Sequence, residues 1–272
     1  MIKSYKQVSA EERTQVWNES FSGYQTSMNM TEEQLDNRLK HLQLCEDSSF
    51  IIYEDNKPAG ITLYGDKIIN NQKIAWVGGL AVHPDFRKNG IGVSLLNQVE
   101  EIAKKSDVET ITLEVITENM GALKLYEKNG YEAKRKVSVL EGELPAGNDD
   151  RLMFDRIQTV QDDDHITIPW QNRKQHGHQV FLINTKEQGT VGEMVCDFDE
   201  ENDTLIIYQL SLLETKRLQE VLVALKQKFG AKKFKALNLL ADSYEVGLLK
   251  DYGFEVTMER FQMEKDLLKQ SS

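Results

Sequence analysis

Two short helical segments of this chain end in a glycine followed by an aromatic residue, Gly130-Tyr131 and Gly253-Phe254. Placing Gly253 on Gly130 brings Leu248 opposite Leu125, and the same order of elements leads up to both points. In the first half, Phe50–Tyr53, Ala59–Tyr64 and Lys73–Val82 read as strands. A helix from Ile91, a strand over Thr110–Ile116 and a short helix from Asn119 follow. In the second half the strands are Val180–Ile183, Thr190–Asp197 and Thr204–Leu210. They are followed by a helix over Thr215–Phe229, a strand over Phe234–Leu240 and a helix over Tyr244–Asp251. Such an internal repeat predicts one fold used twice in tandem. The expected class is α+β, each copy having a mixed, mostly antiparallel sheet flanked by helices. Gly142, Pro145–Asp150 and Asp162–Asp164 break the pattern between the copies. The expected domains are therefore 1–157 and 158–272, with Arg151 to Ile157 as a closing strand of the first.

Local signals sharpen the first copy. Residues 3–8 read as a short strand. Ser9 and Thr31 stand where helix N-caps are wanted, each with a Glu or Gln at the third helical position. After Pro84, the residues Ile91, Leu95, Val99 and Ile102 fall at helical spacing. Along Thr110–Ile116 the pattern alternates, with Ile111, Leu113 and Val115 on one face and Thr112 and Glu114 on the other.

Charge narrows the partners. The net charge is −11, and both halves share it. A nucleic-acid partner needs a basic footprint, so none is expected. No apolar run approaches the roughly 18 residues of a membrane span, and the first residues lack the apolar stretch of a secretory signal. Cys45 and Cys196 lie far apart, as two free thiols of a reduced, cytoplasmic protein would. His165, His176 and His178 make no metal-ligand spacing, so no metal is expected; His176-Gly177-His178 reads as a solvated turn.

The chemistry concentrates at Arg87-Lys88-Asn89-Gly90-Ile91-Gly92, where a strand passes into a helix. Glycines at 90 and 92 let backbone N–H groups approach an anion without an intervening Cβ. The helix start adds unsatisfied N–H donors and the positive end of its dipole. A dinucleotide fingerprint would need a third glycine at Leu95, and Gly92-Val93-Ser94 lacks the Gly-Lys-Ser/Thr ending of a phosphate loop of the Walker type.

The setting of this loop is more specific than the loop. Leu80-Ala81-Val82-His83-Pro84 precedes it. Leu113-Glu114-Val115 and then Asn119, Ala122, Tyr126, Gly130 and Tyr131 come about thirty residues later. Over roughly residues 1–140 the chain resembles the GNAT superfamily of N-acetyltransferases. The cofactor loop of that family reads Arg/Gln-x-x-Gly-x-Gly/Ala. Its second signature reads Asn-x-x-Ala-x-x-x-Tyr-x-x-x-Gly-Phe/Tyr. The resemblance implies acetyl-CoA as acyl donor. It implies that Leu80, Ala81 and Val82 meet the pantetheine arm by backbone and that Arg87, Lys88, Asn89, Gly90, Ile91 and Gly92 hold the pyrophosphate. Asn119 and Ala122 belong to the same cofactor site, and Tyr126 protonates the departing thiolate.

Amine attack on a thioester needs a neutral amine and a protonated leaving group. A phenol keeps its proton at neutral pH and can give it up as thiolate charge develops. The candidate base is Glu114. Leu113-Glu114-Val115 also resembles the corresponding stretch of enzymes that acetylate N-terminal alanines of ribosomal proteins, which implies the same role. His83 is a second titratable candidate. Trp76-Val77-Gly78-Gly79 carries no carboxylate where many family members have a glutamate, so a water relay stays open as well. The loop from Phe21 to Met30, with Phe21, Tyr24, Met28 and Met30, either shapes the acceptor pocket or plugs the core.

The second copy lacks the chemistry. Its corresponding turn, Leu213–Arg217, has no glycine; Leu249 stands opposite Tyr126 and Asp242 opposite Asn119. A degenerate domain without its own cofactor is expected. The reading is acetyl transfer from acetyl-CoA to the primary amine of a small molecule or peptide N-terminus, with pairing as a homodimer left open. The alternatives are a non-catalytic acyl-CoA-binding regulator and a scaffold module.

Overall fold

The computed structural model describes residues 1–24, 28–158, 161 and 165–268. The chain forms two compact units. The first is Met1–Lys134 together with the chain from Met263; the second is Arg135–Gln262. These units divide the chain elsewhere than between 157 and 158.

The first unit opens with β1 (Ile2–Ser4), shorter than expected because Tyr5–Gln7 tightens into a 3-10 turn. Helix α1 (Ala10–Ser20) starts on Ser9, whose hydroxyl accepts from the Glu12 amide, and α2 (Glu32–His41) starts on the capping box of Thr31 and Gln34. Strands β2 (Phe50–Glu54), β3 (Lys57–Ile69) and β4 (Gln72–Val82) form an antiparallel meander in register with β1. Its two tight turns rest on Asp55-Asn56 and Asn70-Asn71, all four at positive φ, as two-residue hairpin turns require. Helix α3 (Ile91–Lys105) follows, then β5 (Thr110–Ile116), which pairs parallel to β4, and α4 (Met120–Lys128). Gly130, at φ 82°, turns the chain out of α4.

Strand β4 carries a bulge. Val77 opposes Tyr64 and Gly79 opposes Leu63, leaving Gly78 as the extra residue. A Cβ at Gly78 would lie 2.9 Å from Leu44 and 2.8 Å from the Trp76 ring; one at Gly79 would lie 2.6 Å from the ring of Trp17. Both glycines therefore turn toward the side of the sheet that carries α1 and α2. Strict alternation would have sent one of them to the other side.

The strand after α4, β6 (Glu132–Glu143), leaves the first unit. It pairs antiparallel with β11 (Lys233–Leu240) of the second. That unit also contains β7 (Leu152–Ile157), β8 (Gln179–Thr185), β9 (Gly189–Asp199) and β10 (Thr204–Leu212), antiparallel in succession. Strand β10 pairs parallel to β11. Helix α5 (Leu218–Phe229) ends on Gly230 at φ 64°, and α6 (Tyr244–Asp251) follows β11. Each unit thus has a mixed, mostly antiparallel sheet with flanking helices. Residues Arg151 to Ile157, expected to close the first domain, instead pair with β8. The last strand, β12 (Glu255–Asp266), starts in the second unit and ends in the first. There the Leu267 amide donates to the Glu109 carbonyl at 2.9 Å.

The turn at His176-Gly177-His178 is not solvated; both histidines are buried. His178 precedes β8 opposite Asp197 of β9. Its Nδ1 lies 2.6 Å from the Asp197 carboxylate and its Nε2 3.0 Å from the Gln171 carbonyl, and its ring stacks on Tyr208 at 3.7 Å. A carboxylate one strand away gives the ring a partner that sequence spacing does not show.

Candidate active site

The opening between β4 and β5 organises the site. Their parallel pairing runs from Ile74↔Thr110 to Val77↔Leu113 and stops where the bulge at Gly78 begins. Beyond it, Gly79, Leu80, Ala81 and Val82 stay paired with β3 on one side only, opposite Leu63, Thr62, Ile61 and Gly60. The bulge is held from α2: the Arg38 guanidinium donates to the Gly78 carbonyl at 3.0 Å.

At the end of that edge the chain passes through His83 and a short 3-10 turn over Pro84–Phe86 into the loop before α3. Lys88 at φ 66° and Gly90 at φ 83° are both left-handed, which a lysine rarely adopts. A Cβ at Gly90 would meet nothing within 4 Å. The amides that open α3 therefore sit beside open space, at the positive end of a 15-residue helix. Gly92 serves packing: a Cβ there would lie 2.9 Å from Leu125 of α4 and 3.8 Å from Val82. The end of β4, the start of α3 and the middle of α4 converge at this one glycine.

Arg87 is placed differently from its expected role. Its Nε donates to the Val82 carbonyl at 3.2 Å, and its terminal nitrogen donates to the carbonyls of Ser20 and Ser22, each at 3.1 Å. The guanidinium ties the loop to the end of α1. Lys88 and Asn89 are exposed.

On α4, Asn119 is the N-cap: its Oδ1 accepts from the Ala122 amide at 3.1 Å. One helical stretch on, Tyr126 is buried, its ring 5.9 Å from that of Tyr131. Burial, with a smaller contribution from the Tyr24 hydroxyl, pushes the Tyr126 phenol above the ordinary tyrosine range.

Glu114 lies on β5 just past the last paired residue, half-buried, with Oε1 shielded from solvent. It alternates with Leu113 and shares a face with Thr112, the partner of Trp76. Trp76 and Leu44 meet on the side of α1 and α2, so Glu114 projects to that side.

The same side carries an open cleft of about 570 Å³. Phe21, Tyr24 and Met28 line it, as do Glu19, His83 and Asp85. Phe21 packs on Trp17 at 4.4 Å and edge-on to Tyr24 at 5.5 Å, and the Trp17 indole N–H donates to the Met28 carbonyl at 2.8 Å. Gln25, Thr26 and Ser27 of this loop lie outside the described residues, as do Asp162–Asp164. Met30 is half-buried, its amide and carbonyl both bonded to Asn18, and is not among the lining residues. His83 accepts from the Asp85 amide at Nδ1 (3.3 Å) and faces Glu19 through Nε2 at 3.4 Å. Glu19 and Asp85 escaped the sequence reading because exposed carboxylates in a helix and a turn carry no pattern.

In the second unit the corresponding turn, Thr215–Arg217, holds Arg217 between Glu214 and Glu220. Leu249 is buried where Tyr126 stands in the first copy. The N-cap of α6 is Ser243 rather than Asp242, because α6 is one residue shorter than α4.

Residues 12–131 match the acetyltransferase (GNAT) family model. This part of the chain is a GNAT domain. An uncharacterised N-acetyltransferase of Methanocaldococcus jannaschii is 36% identical over 95 residues, which are 34% of this chain and 42% of that protein. A chloroplastic GCN5-related N-acetyltransferase of Arabidopsis thaliana is 36% identical over 69 residues, 25% of this chain and 23% of its own length. The chain thus matches less than half the length of either curated relative. A GCN5-related N-acetyltransferase structure from Sphaerobacter thermophilus aligns over 98% of this chain and 95% of its own, with a TM-score of 0.68 at 14% identity. A tandem GNAT protein from the clavulanic acid biosynthesis pathway aligns over 98% of both chains, with a TM-score of 0.66 at 10% identity. The whole chain therefore has the fold of tandem GNAT proteins. Among the described residues no helix is long and apolar enough to cross a membrane.

Proposed function

We propose that the first unit transfers an acetyl group from acetyl-CoA to a primary amine, of a small molecule or a peptide N-terminus, by direct attack. The observation that carries this reading is the convergence at Gly92. The one-sided edge of β4, the amides opening α3 and the helix bearing Tyr126 meet there.

The residues present fit a CoA donor. The open space at Gly90 and the unsatisfied amides of the first turn of α3 suit a diphosphate, with exposed Lys88 adding charge. The backbone of Leu80, Ala81 and Val82 offers a strand edge to an extended arm, and Asn119 keeps its Nδ2 for the same ligand. Bound acetyl-CoA supplies an activated acyl group as its thioester.

Around it, the chain's own groups manage protons and position. Tyr126 keeps its proton through the neutral range and holds it for the leaving sulfur. Glu114 takes the proton from the incoming ammonium, directly or through water. Phe21, Tyr24 and Met28 give the amine an apolar wall. Holding both reactants on one frame supplies a large part of the rate. The second unit, with Leu249 in place of Tyr126 and no glycine in its turn, has no acyl-CoA site of its own and plays a structural role.

The test has two arms. Acetyl-CoA should raise the melting temperature of the protein. CoA thiol should then be released with at least one member of a panel of small amines and peptides. No shift at millimolar acetyl-CoA sinks the reading.

A further inference from the structure

Tyr131, the neighbour of Tyr126, meets a residue of the last strand. Gly130 turns the backbone so that the Tyr131 amide donates to the Tyr126 carbonyl at 3.1 Å, and the two rings pack at 5.9 Å. Behind Tyr131 stands Lys265, near the end of β12 and in the same compact unit. Its ammonium is 5.8 Å from the centroid of the Tyr131 ring. It is also bonded to the Glu100 carboxylate of α3, which in turn holds Lys104 at 2.7 Å.

The Lys265 side chain is only 9% exposed. An ammonium drawn that far from water is retained where partners fix it, here a carboxylate on one side and an aromatic face on the other. Glu100 leans on two cations, and the two lysines hold its carboxyl below the usual carboxylate range against the opposing effect of burial. Lysine, glutamate and Tyr131 thus form one anchored group. Tyr126 packs on the same Tyr131 ring. A strand that merely closed a sheet would need only an apolar side chain at this position.

We propose that Lys265 is a positioning residue for acyl transfer: anchored on Glu100, it holds Tyr131 against Tyr126 and so fixes where the Tyr126 hydroxyl stands. The proposal rests on the reading of Tyr126 as proton donor. It gives the C-terminal strand a part in the chemistry of the first unit, although the strand brings no reacting group.

The test uses the full chain, acetyl-CoA and an accepted amine, with Lys265→Met, Lys265→Arg, Tyr126→Phe and the Lys265→Met/Tyr126→Phe pair. Lys265→Met should lower kcat about tenfold while KM for acetyl-CoA stays within about twofold, since misplacing a reacting group reduces turnover rather than binding. Lys265→Arg should restore most of the loss. In the Tyr126→Phe background Lys265→Met should add nothing, because the group it positions is gone. An unchanged kcat in Lys265→Met, or losses that multiply in the double variant, would overturn the proposal. Should Lys265→Met melt below the assay temperature, Lys265→Gln removes the cation, keeps a hydrogen-bond donor for Glu100 and carries the same expectations. Full turnover in Tyr126→Phe would instead remove the proton-donor reading, an outcome separate from full turnover in Lys265→Met alone.

Discussion

The Arg87 guanidinium donates to the Ser22 carbonyl at 3.1 Å, joining the loop before α3 to a wall of the cleft. The same nitrogen also reaches the Ser20 carbonyl, and Nε reaches that of Val82. Three carbonyls, from the end of β4, the end of α1 and the loop after α1, converge on one planar cation, a geometry lysine cannot reproduce. Both Arg87→Ala and Arg87→Lys should therefore raise KM for acetyl-CoA and for the amine together, about three- to tenfold each, at about 1.4 kcal/mol per tenfold change. Steady-state kinetics with each substrate varied in turn decide this. A rise confined to acetyl-CoA would assign Arg87 to the diphosphate alone.

Tyr126→Phe removes one oxygen from a buried ring and leaves its packing. Turnover should fall about 100-fold, in the range for a lost general acid, with acetyl-CoA affinity unchanged by calorimetry. Tyr5, Tyr53, Tyr64 and Tyr131 share the raised phenol of Tyr126, burial being the main cause in each. A phenol whose folded pKa lies above its unfolded value of about 10 contributes stability that is fully present below that pH. That stability is lost as pH rises from about 10 toward the folded values. Urea midpoints should therefore be insensitive to tyrosine ionisation below about pH 10 and fall steeply above it.

The repeat, the meander and the caps were legible because each is written in local residues. Asn70-Asn71 marks a turn, Ser9 and Thr31 mark helix starts, and Gly130 marks an end. The signature from Asn119 to Tyr131 falls on α4, where Asn119 is the N-cap and Tyr126 is buried. What escaped were relations set by tertiary pairing. Nothing local says that β6 leaves at Lys134 or that Met263–Asp266 returns, because an exchanged strand reads the same as one that stays. His178 looked solvated for the same reason, its partner Asp197 being one strand away. Gly78-Gly79 could have signalled the bulge, since two adjacent glycines inside a strand are there for close approach or a kink.

That bulge yields a stability prediction. A Cβ at Gly79 would stand 2.6 Å from the Trp17 ring, and Trp17 is fully buried and packed on Phe21. The indole cannot retreat without loosening the cleft wall. Gly79→Ala should destabilise the first unit by about 1–3 kcal/mol, the usual range for overpacking. It should also weaken amine binding, because Phe21 moves with Trp17. Gly121→Ala, exposed in α4 with its nearest neighbour 3.8 Å from the added methyl, is the matched control. Thermal melts of the two variants should separate clearly. Equal melting temperatures would mean that Trp17 yields at little cost.

Glu114 supplies the last prediction. It stands just beyond the point where β4 and β5 part, half-buried, on the side of the cleft. An alkylamine reaches neutral solution mostly as ammonium, with a pKa near that of lysine at about 10.4. At low pH the enzyme must remove that proton, and a glutamine at 114 cannot. As pH rises, more of the amine arrives already neutral and the need for a base shrinks. Glu114→Gln should therefore lower kcat/KM about 100-fold near pH 7, with the deficit narrowing steadily toward pH 9.5. The comparison must use the same amine and stay below the alkaline transition of the tyrosines. A deficit that stays constant across that interval would assign Glu114 to binding the amine instead. In that event proton removal would pass to the pair His83 and Glu19, 3.4 Å apart in the lining of the cleft. Glu19→Gln would then show the pH-dependent loss that Glu114→Gln lacked.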